Sequence, residues 1–312
     1  MSTAATSTLA IRAEGLTKRF GTTVALDGLD LEVPCGTVFG FLGPNGAGKT
    51  TAIRLLLDLL RPTAGRAEVL GLDTRTRTLD VRRRVGYLPG ELHLPDRLSG
   101  REYLSDLSTL RGRDDGAAID VLAERLAASL DRPLGELSSG NKRKIGLVAA
   151  FVHEPDLLIL DEPTGGIDPL VQQAFREMTR EVAAAGRTVF LSSHVLDEVQ
   201  HTASRVAVLR AGKLVAIDDV ERLLQHVARV VEVRFADAAP AEVLARLAGL
   251  DGVSDVHISD HDDHVVACTL AGPAGGLIAA IAPFAPVDLR SHEGDLEDVF
   301  ISYYEHRSTD PR

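Results

Sequence analysis

The sequence predicts an α/β fold that carries an inserted helical subdomain and a second, smaller α+β domain. Three observations predict it. A glycine-rich loop at 43–50 lies between an apolar, β-rich run at 37–42 and a stretch of helical apolar spacing at 51–60. Two further β-rich runs, 156–160 and 188–192, flank a helical stretch that Asp168 and Pro169 open and Gly186 closes. Past residue 225 the pattern changes to strand, helix, strand, strand, helix, strand.

Bulk properties set the class. A chain of 312 residues has material for two domains, and 45% apolar with 25% charged residues is ordinary for a globular protein. The balance is acidic, 34 basic against 45 acidic residues, so there is no global basic footprint for nucleic acid. No uncharged run reaches the roughly 18 residues needed to cross a bilayer. The first ten residues, MSTAATSTLA, lack the basic start and apolar stretch of a signal peptide. Cys35 and Cys268 form no motif, and a reducing compartment is the expectation. A soluble protein follows, with any tie to a membrane made through a partner.

In order along the chain, 1–8 reads as a loose polar tail. Residues 9–16 and 23–33 read as two strands joined at Phe20 and Gly21. Phe20 has two readings, a core residue or an aromatic face on which a purine stacks. Then comes the loop. Gly43, Pro44, Asn45, Gly46, Ala47, Gly48, Lys49 and Thr50 fit G-x-x-x-x-G-K-[ST], the phosphate-binding pattern of a P-loop NTPase core. A polyphosphate needs many donors in a small space, and glycines let the backbone bend tightly and aim successive N–H groups inward. The helix entered at Thr51 adds its positive end. Lys49 reaches for the β- and γ-phosphates, and the Thr50 hydroxyl is a Mg²⁺ ligand.

Beyond the helix, 66–70 and 82–88 read as strands, the second ending in Pro89, Gly90 and Glu91. Residues 92–150 read as the helical insertion: Ser99 and Glu102 form a capping box, and 117–130 carries a second helical pattern. It ends in Leu137, Ser138, Ser139, Gly140 and Asn141 before an apolar helix, either an ordinary N-cap or a second anion site. The strand at 156–160 runs into Asp161 and Glu162. One carboxylate there suits Mg²⁺, and the next suits activation of a water. His194 follows the strand at 188–192, at the edge where open α/β sheets bind ligands.

The order of these motifs resembles the nucleotide-binding subunit of ABC transporters across 9–225. The resemblance implies that Phe20 stacks on adenine and that Gly43 to Thr50, with Thr51, form the Walker A loop. It makes Ser138, Ser139, Gly140 and Asn141 the signature motif, Asp161 and Glu162 Walker B, and Gly166 to Asp168 the D-loop. Lys49, Glu162 and His194 are then catalytic, Glu162 polarising the water and His194 meeting the γ-phosphate. ATP and Mg²⁺ are the implied cofactors. A head-to-tail homodimer is implied too, because each signature motif closes the partner's ATP site, and so is a separate transmembrane permease that holds this cytoplasmic subunit peripherally on the inner face of the cell membrane.

Three departures stand out. Ser139 and Asn141 replace the glycine and glutamine of LSGGQ. Gly90 stands where the family has a glutamine that meets Mg²⁺, so Glu91 becomes the candidate replacement ligand, turned inward by the backbone freedom of Gly90. Gly165 and Ile167 are unusual in the D-loop.

After 225 the β-α-β-β-α-β order suggests a ferredoxin-like accessory domain over 226–306, followed by a tail at 307–312. The residues at 296–300 resemble the close of ATP-binding subunits from ABC-2-type exporters, drug and antibiotic resistance pumps among them. The polar run 260–264 reads as a solvated hairpin tip in preference to a metal site. An importer subunit with a regulatory domain and a soluble ABC ATPase are the alternatives. A GTPase switch lacks its aspartate, since Asn141 is followed by Lys142, Arg143 and Lys144.

Overall fold

Three short apolar strands, Val38–Leu42, Thr188–Ser193 and Leu157–Asp161, lie side by side within one six-stranded sheet. The computed structural model describes residues 8–225, 229–237, 241–259 and 262–292. The 296–300 stretch and both expected tails, apart from Thr8, lie outside them. The chain divides into two compact units, Met1–Asp218 and Asp219–Arg312.

In the first unit, β1 (Leu9–Phe20) and β2 (Thr23–Pro34) pair antiparallel from Leu9 opposite Pro34 to Phe20 opposite Thr23. β3 (Val38–Leu42) follows, buried at every residue, and the glycine loop leads into α1 (Lys49–Leu56). β4 (Ala64–Val69) and β5 (Leu72–Asp73) complete an antiparallel sheet in the order β2-β1-β4-β5. α2 (Thr78–Arg84) precedes β6 (Val85–Leu88). The helical excursion comprises α3 (Gly100–Leu110), α4 (Gly116–Arg125) and α5 (Ser139–Phe151).

The chain returns through β7 (Leu157–Asp161), α6 (Pro169–Ala184), β8 (Thr188–Ser193), α7 (Leu196–Thr202), β9 (Arg205–Arg210) and β10 (Lys213–Asp219). The second sheet has the order β10-β9-β3-β8-β7-β6, and β9, β3, β8, β7 and β6 are parallel to one another. Strands buried on both faces read as continuous apolar runs, which is why β3, β7 and β8 were visible in sequence. Phe190 on β8 anchors them, its ring 5.9 Å from that of Phe39 and 5.3 Å from that of Phe41. Burying each ring contributes about 1.5–3 kcal/mol.

Two local expectations are corrected. Residues 82–84 are the last turn of α2, not the start of a strand. Val81 is the one buried residue of that helix, so its apolar spacing is faint. Its stability comes instead from Asp80 pairing with Arg77 and Arg83, and from Arg82, Arg83 and Arg84 at its negative end. The helix expected to reach 130 stops at Arg125, because Ala127 turns left-handed at φ 47°. There Ala128 donates to the Ala123 carbonyl and Ala127 to that of Glu124, the paired bonds of a Schellman stop. The capping box holds: the Ser99 amide meets Glu102 Oε2 at 2.8 Å, and the Glu102 amide donates back to Ser99 Oγ.

The second unit begins with α8 (Val220–Gln225). β11 (Arg229–Arg234), α9 (Ala241–Ala248), β12 (Val253–Ser259), β13 (Asp262–Leu270), α10 (Gly275–Ile281) and β14 (Asp288–His292) then run β-α-β-β-α-β. Its antiparallel sheet has the order β12-β13-β11-β14. Val231 and Val233 pack with Val243 and Leu247 of α9 and Leu277 and Ile281 of α10.

Candidate nucleotide site

The loop between β3 and α1 is tight because its glycines admit neighbouring backbone. Gly48 sits at φ 108°, and a Cβ there would lie 2.4 Å from the Ala25 carbonyl oxygen on β2. The loop thus presses on the hairpin, and α1 starts at Lys49 with its positive end toward a cavity of about 480 Å³. Pro44, Asn45, Gly46, Ala47, Gly48, Lys49, Thr50 and Thr51 line that cavity from one side. Gly90, Glu91, Glu162 and His194 line it from the others.

Lys49 is buried. Its Nζ donates to the Gly43 carbonyl at 2.6 Å and lies 3.4 Å from Glu162 Oε1. The other oxygen of that carboxylate, Oε2, is 2.6 Å from His194 Nδ1. Glu162 is held at φ 53°, a conformation that costs a non-glycine residue about 1–3 kcal/mol. Its amide is fixed by Ser192, through both the carbonyl and the hydroxyl at 3.2 Å.

Asp161, at the end of β7, is fully buried. Its Oδ1 accepts from Ser192 Oγ at 2.5 Å, while Oδ2 is buried with no hydrogen-bond partner. A buried carboxylate oxygen without a donor is costly unless a cation or water completes it. With Thr50 on the cavity wall, the oxygen-bearing side chains present suit Mg²⁺, a hard cation that takes oxygen ligands and retains water.

Other sequence-predicted residues sit elsewhere. Phe20 is 48% exposed beyond the cavity lining, with Lys18 Nζ 5.0 Å from its ring centre. Ser138 and Ser139 are exposed at the start of α5, where Ser138 Oγ accepts from the Asn141 amide. Gly140 packs on the next loop: a Cβ would lie 2.3 Å from the Gly166 oxygen. Asn141 Oδ1 accepts from the Ser129 amide, tying the end of the α4 region to α5. Asp168 caps α6 and meets Lys144 at 3.1 Å. The Val171 amide first, then Lys144, holds its carboxyl below the usual range.

Glu91 is exposed on the cavity wall and does not gather with Asp161 and Glu162 into a shared-metal cluster. The expectation that Gly90 uses glycine's backbone freedom to turn Glu91 inward is corrected. Gly90 has no left-handed φ, and what it provides is space, since a Cβ would lie 2.9 Å from Asp161 Oδ2.

Among the described residues, the one cluster spaced for a metal is Asp262, Asp263 and His264. Asp262 there pairs with Arg234 at 2.7 Å and accepts from the His264 amide, as a solvated turn does. Sequence reading missed Arg54 and Arg143 on the cavity wall. It also missed Glu198, whose burial pushes its carboxyl up while Thr164 and Ser193 donate to it. Only the basic run at 142–144 signalled any of these.

A glycine-loop lysine, two carboxylates at one strand end and a histidine at the next define a P-loop nucleotide hydrolase. The profile of the family described as "ABC transporter" matches residues 26–165. The chain is 35% identical over 313 residues to the daunorubicin/doxorubicin resistance ATP-binding protein DrrA of Streptomyces peucetius, covering 97% of this chain and 94% of that one. It is 33% identical to the bacitracin transport ATP-binding protein BcrA of Bacillus licheniformis, covering 82% and 83%. A solved structure described as the ATP-binding subunit of an ABC transporter superposes with a TM-score of 0.63 at 27% identity, over 69% of this chain and 91% of that one. The chain belongs to the ABC transporter ATP-binding proteins. It is an ATP-hydrolysing subunit that powers transport by a separate membrane-spanning partner. No helix among the described residues is long and apolar enough to cross a membrane itself.

Proposed function

We propose that this subunit, held at the cytoplasmic inner face of the cell membrane by a transmembrane permease, drives export of a drug-like small molecule through that permease. The observation that carries the catalytic assignment is the meeting of Lys49, Glu162 and His194 at one cavity. The glycine loop and the α1 end bind the phosphates, and Lys49 moves from Glu162 to the β- and γ-phosphates. Glu162, freed of that pairing, takes a proton from the attacking water, and His194 holds the Glu162 carboxylate and the γ-phosphate in register. Thr50, Asp161 and, as a replacement ligand, Glu91 would hold Mg²⁺, which would neutralise phosphate charge when bound.

Phe20 supplies the stacking face for adenine. Ser138 and Ser139 are exposed, and neither they nor Gly140 line their own chain's cavity, which supports their use in a partner's site. A homodimer follows, its two ATP molecules binding to close it and hydrolysis reopening it. The segment 9–225 is the nucleotide domain with its helical insertion at 92–150, and 226–306 is a ferredoxin-like accessory domain.

The names of the relatives, drug resistance and bacitracin transport, support export over import. The test is co-reconstitution of this chain in vesicles with a candidate multi-span permease. Uptake of an anthracycline into inverted vesicles that needs ATP and intact Glu162 is expected. Dependence on a periplasmic binding protein would point to import instead.

A further inference from the structure

The helix that bears the signature serine also sends a guanidinium into the nucleotide cavity. Arg143 lies on α5, half-buried, and lines the same cavity as Lys49, Thr50, Glu91 and Glu162. Its Nη1 donates to the Pro89 carbonyl at 2.9 Å and its Nη2 to the Gly90 carbonyl at 3.0 Å. β6 ends at Leu88, so these two carbonyls lie beyond the strand ladder, where buried backbone needs another donor. A planar fork bridges two consecutive carbonyls, whereas an ammonium engages them as a single point.

What this loop carries makes the tie consequential. Gly90 leaves room for Asp161 Oδ2, the buried oxygen with no partner, which a Cβ there would approach to 2.9 Å, and Glu91 stands on the cavity wall. Burial pulls the Arg143 pKa below its ordinary value, and Asp161, Glu162 and Glu198 oppose that by attraction. One side chain therefore touches the loop and feels Asp161, Glu162 and Glu198.

We propose that Arg143 is a positioning residue for ATP hydrolysis, fastening the 89–91 loop to the signature helix so that a shift of α5 moves Gly90 and Glu91 against Asp161. The proposal rests on the reading of this cavity as the ATP site.

The experiment uses the full chain with Arg143→Ala and Arg143→Lys. Three quantities are read: kcat and KM for ATP, affinity for a fluorescent ATP analogue, and hydrogen exchange at 89–94 and 138–146 with and without ATP and Mg²⁺. Misplacing catalytic groups by about 1 Å costs on the order of 10²-fold, so the alanine variant should lose about 10- to 100-fold in kcat. Nucleotide affinity should stay within about twofold. ATP-dependent protection should persist at 138–146 but disappear at 89–94, a separation that a purely structural role does not produce. Lysine should fall between alanine and wild type, and it carries the test alone if the alanine protein does not fold. Wild-type kcat with protection still linked at both segments overturns the proposal. Lys49→Ala checks the site separately: if it still binds and hydrolyses ATP, the cavity reading itself falls.

Discussion

His194 Nδ1 lies 2.6 Å from Glu162 Oε2, and the opposite oxygen of the same carboxylate is 3.4 Å from Lys49 Nζ. One carboxylate thus links the strand-end histidine to the phosphate loop. Glu162→Gln keeps the shape but removes the base, so turnover should fall by on the order of 10²–10⁴. ATP affinity should survive, because the loop and α1 supply the phosphate donors. Phosphate release at steady state checks this, and near-normal turnover in the purified variant would sink the assignment of Glu162.

The signature serine gives the second prediction. Ser138 is exposed and lines no part of its own chain's nucleotide cavity. If it closes a partner's site, the Glu162→Gln protein should dimerise only when ATP and Mg²⁺ are both present, and adding Ser138→Ala should weaken that. Size-exclusion chromatography with light scattering reads the outcome. A monomer at saturating nucleotide, with the permease present, would argue against assembly through this surface.

Much of the nucleotide unit was legible because its signals are local. The Gly43 to Thr50 loop, the Ser99–Glu102 capping box and the strand carrying Asp161 each declare themselves within a few residues. What was illegible depended on partners distant in sequence. Arg143 meets Pro89 and Gly90 across the fold, and nothing in the basic run 142–144 says which residue does so. Gly90 looked like a source of backbone freedom, whereas its reason is the Asp161 carboxylate beside it. α2 escaped notice because exposed charge pairs, not an apolar stripe, support it.

Stability toward acid should depend on His153. It is buried at the end of α5, with Nε2 3.3 Å from the Val85 carbonyl, and desolvation lowers its pKa to about 4. Arg111 lowers it further. The unfolded chain binds this proton near pH 6.5 and the folded one only near 4, so the unfolded state holds more protons between them. Stability from this residue is full above about pH 6.5 and is lost as pH falls toward 4, by about 3 kcal/mol over the window. His153→Leu should unfold with a flatter dependence on pH across that range, measured by urea denaturation. Identical pH slopes in the two proteins would remove His153 from the account.

Mg²⁺ use separates two roles for Glu91. The ion prefers six oxygens in near-octahedral geometry, and Thr50 with phosphate oxygens leaves places for water or another side chain. Gly90 has no side chain to offer, and Glu91 is the next oxygen on the cavity wall. A carboxylate beside phosphates is repelled unless the cation lies between them, so its value depends on the metal being there. If Glu91 is a ligand, Glu91→Ala and Glu91→Gln should raise the Mg²⁺ concentration for half-maximal hydrolysis by about 10-fold or more in the isolated subunit. Gly90→Ala provides a comparison, because its Cβ presses on Asp161 Oδ2 while leaving Glu91 in place. It should perturb the Mg²⁺ requirement through Asp161, whether or not Glu91 binds. If both Glu91 variants keep the wild-type requirement while Gly90→Ala shifts it, Asp161 and Thr50 hold the ion without Glu91. Loss of transport without loss of hydrolysis in the Glu91 variants would then place that side chain on the surface that moves the permease.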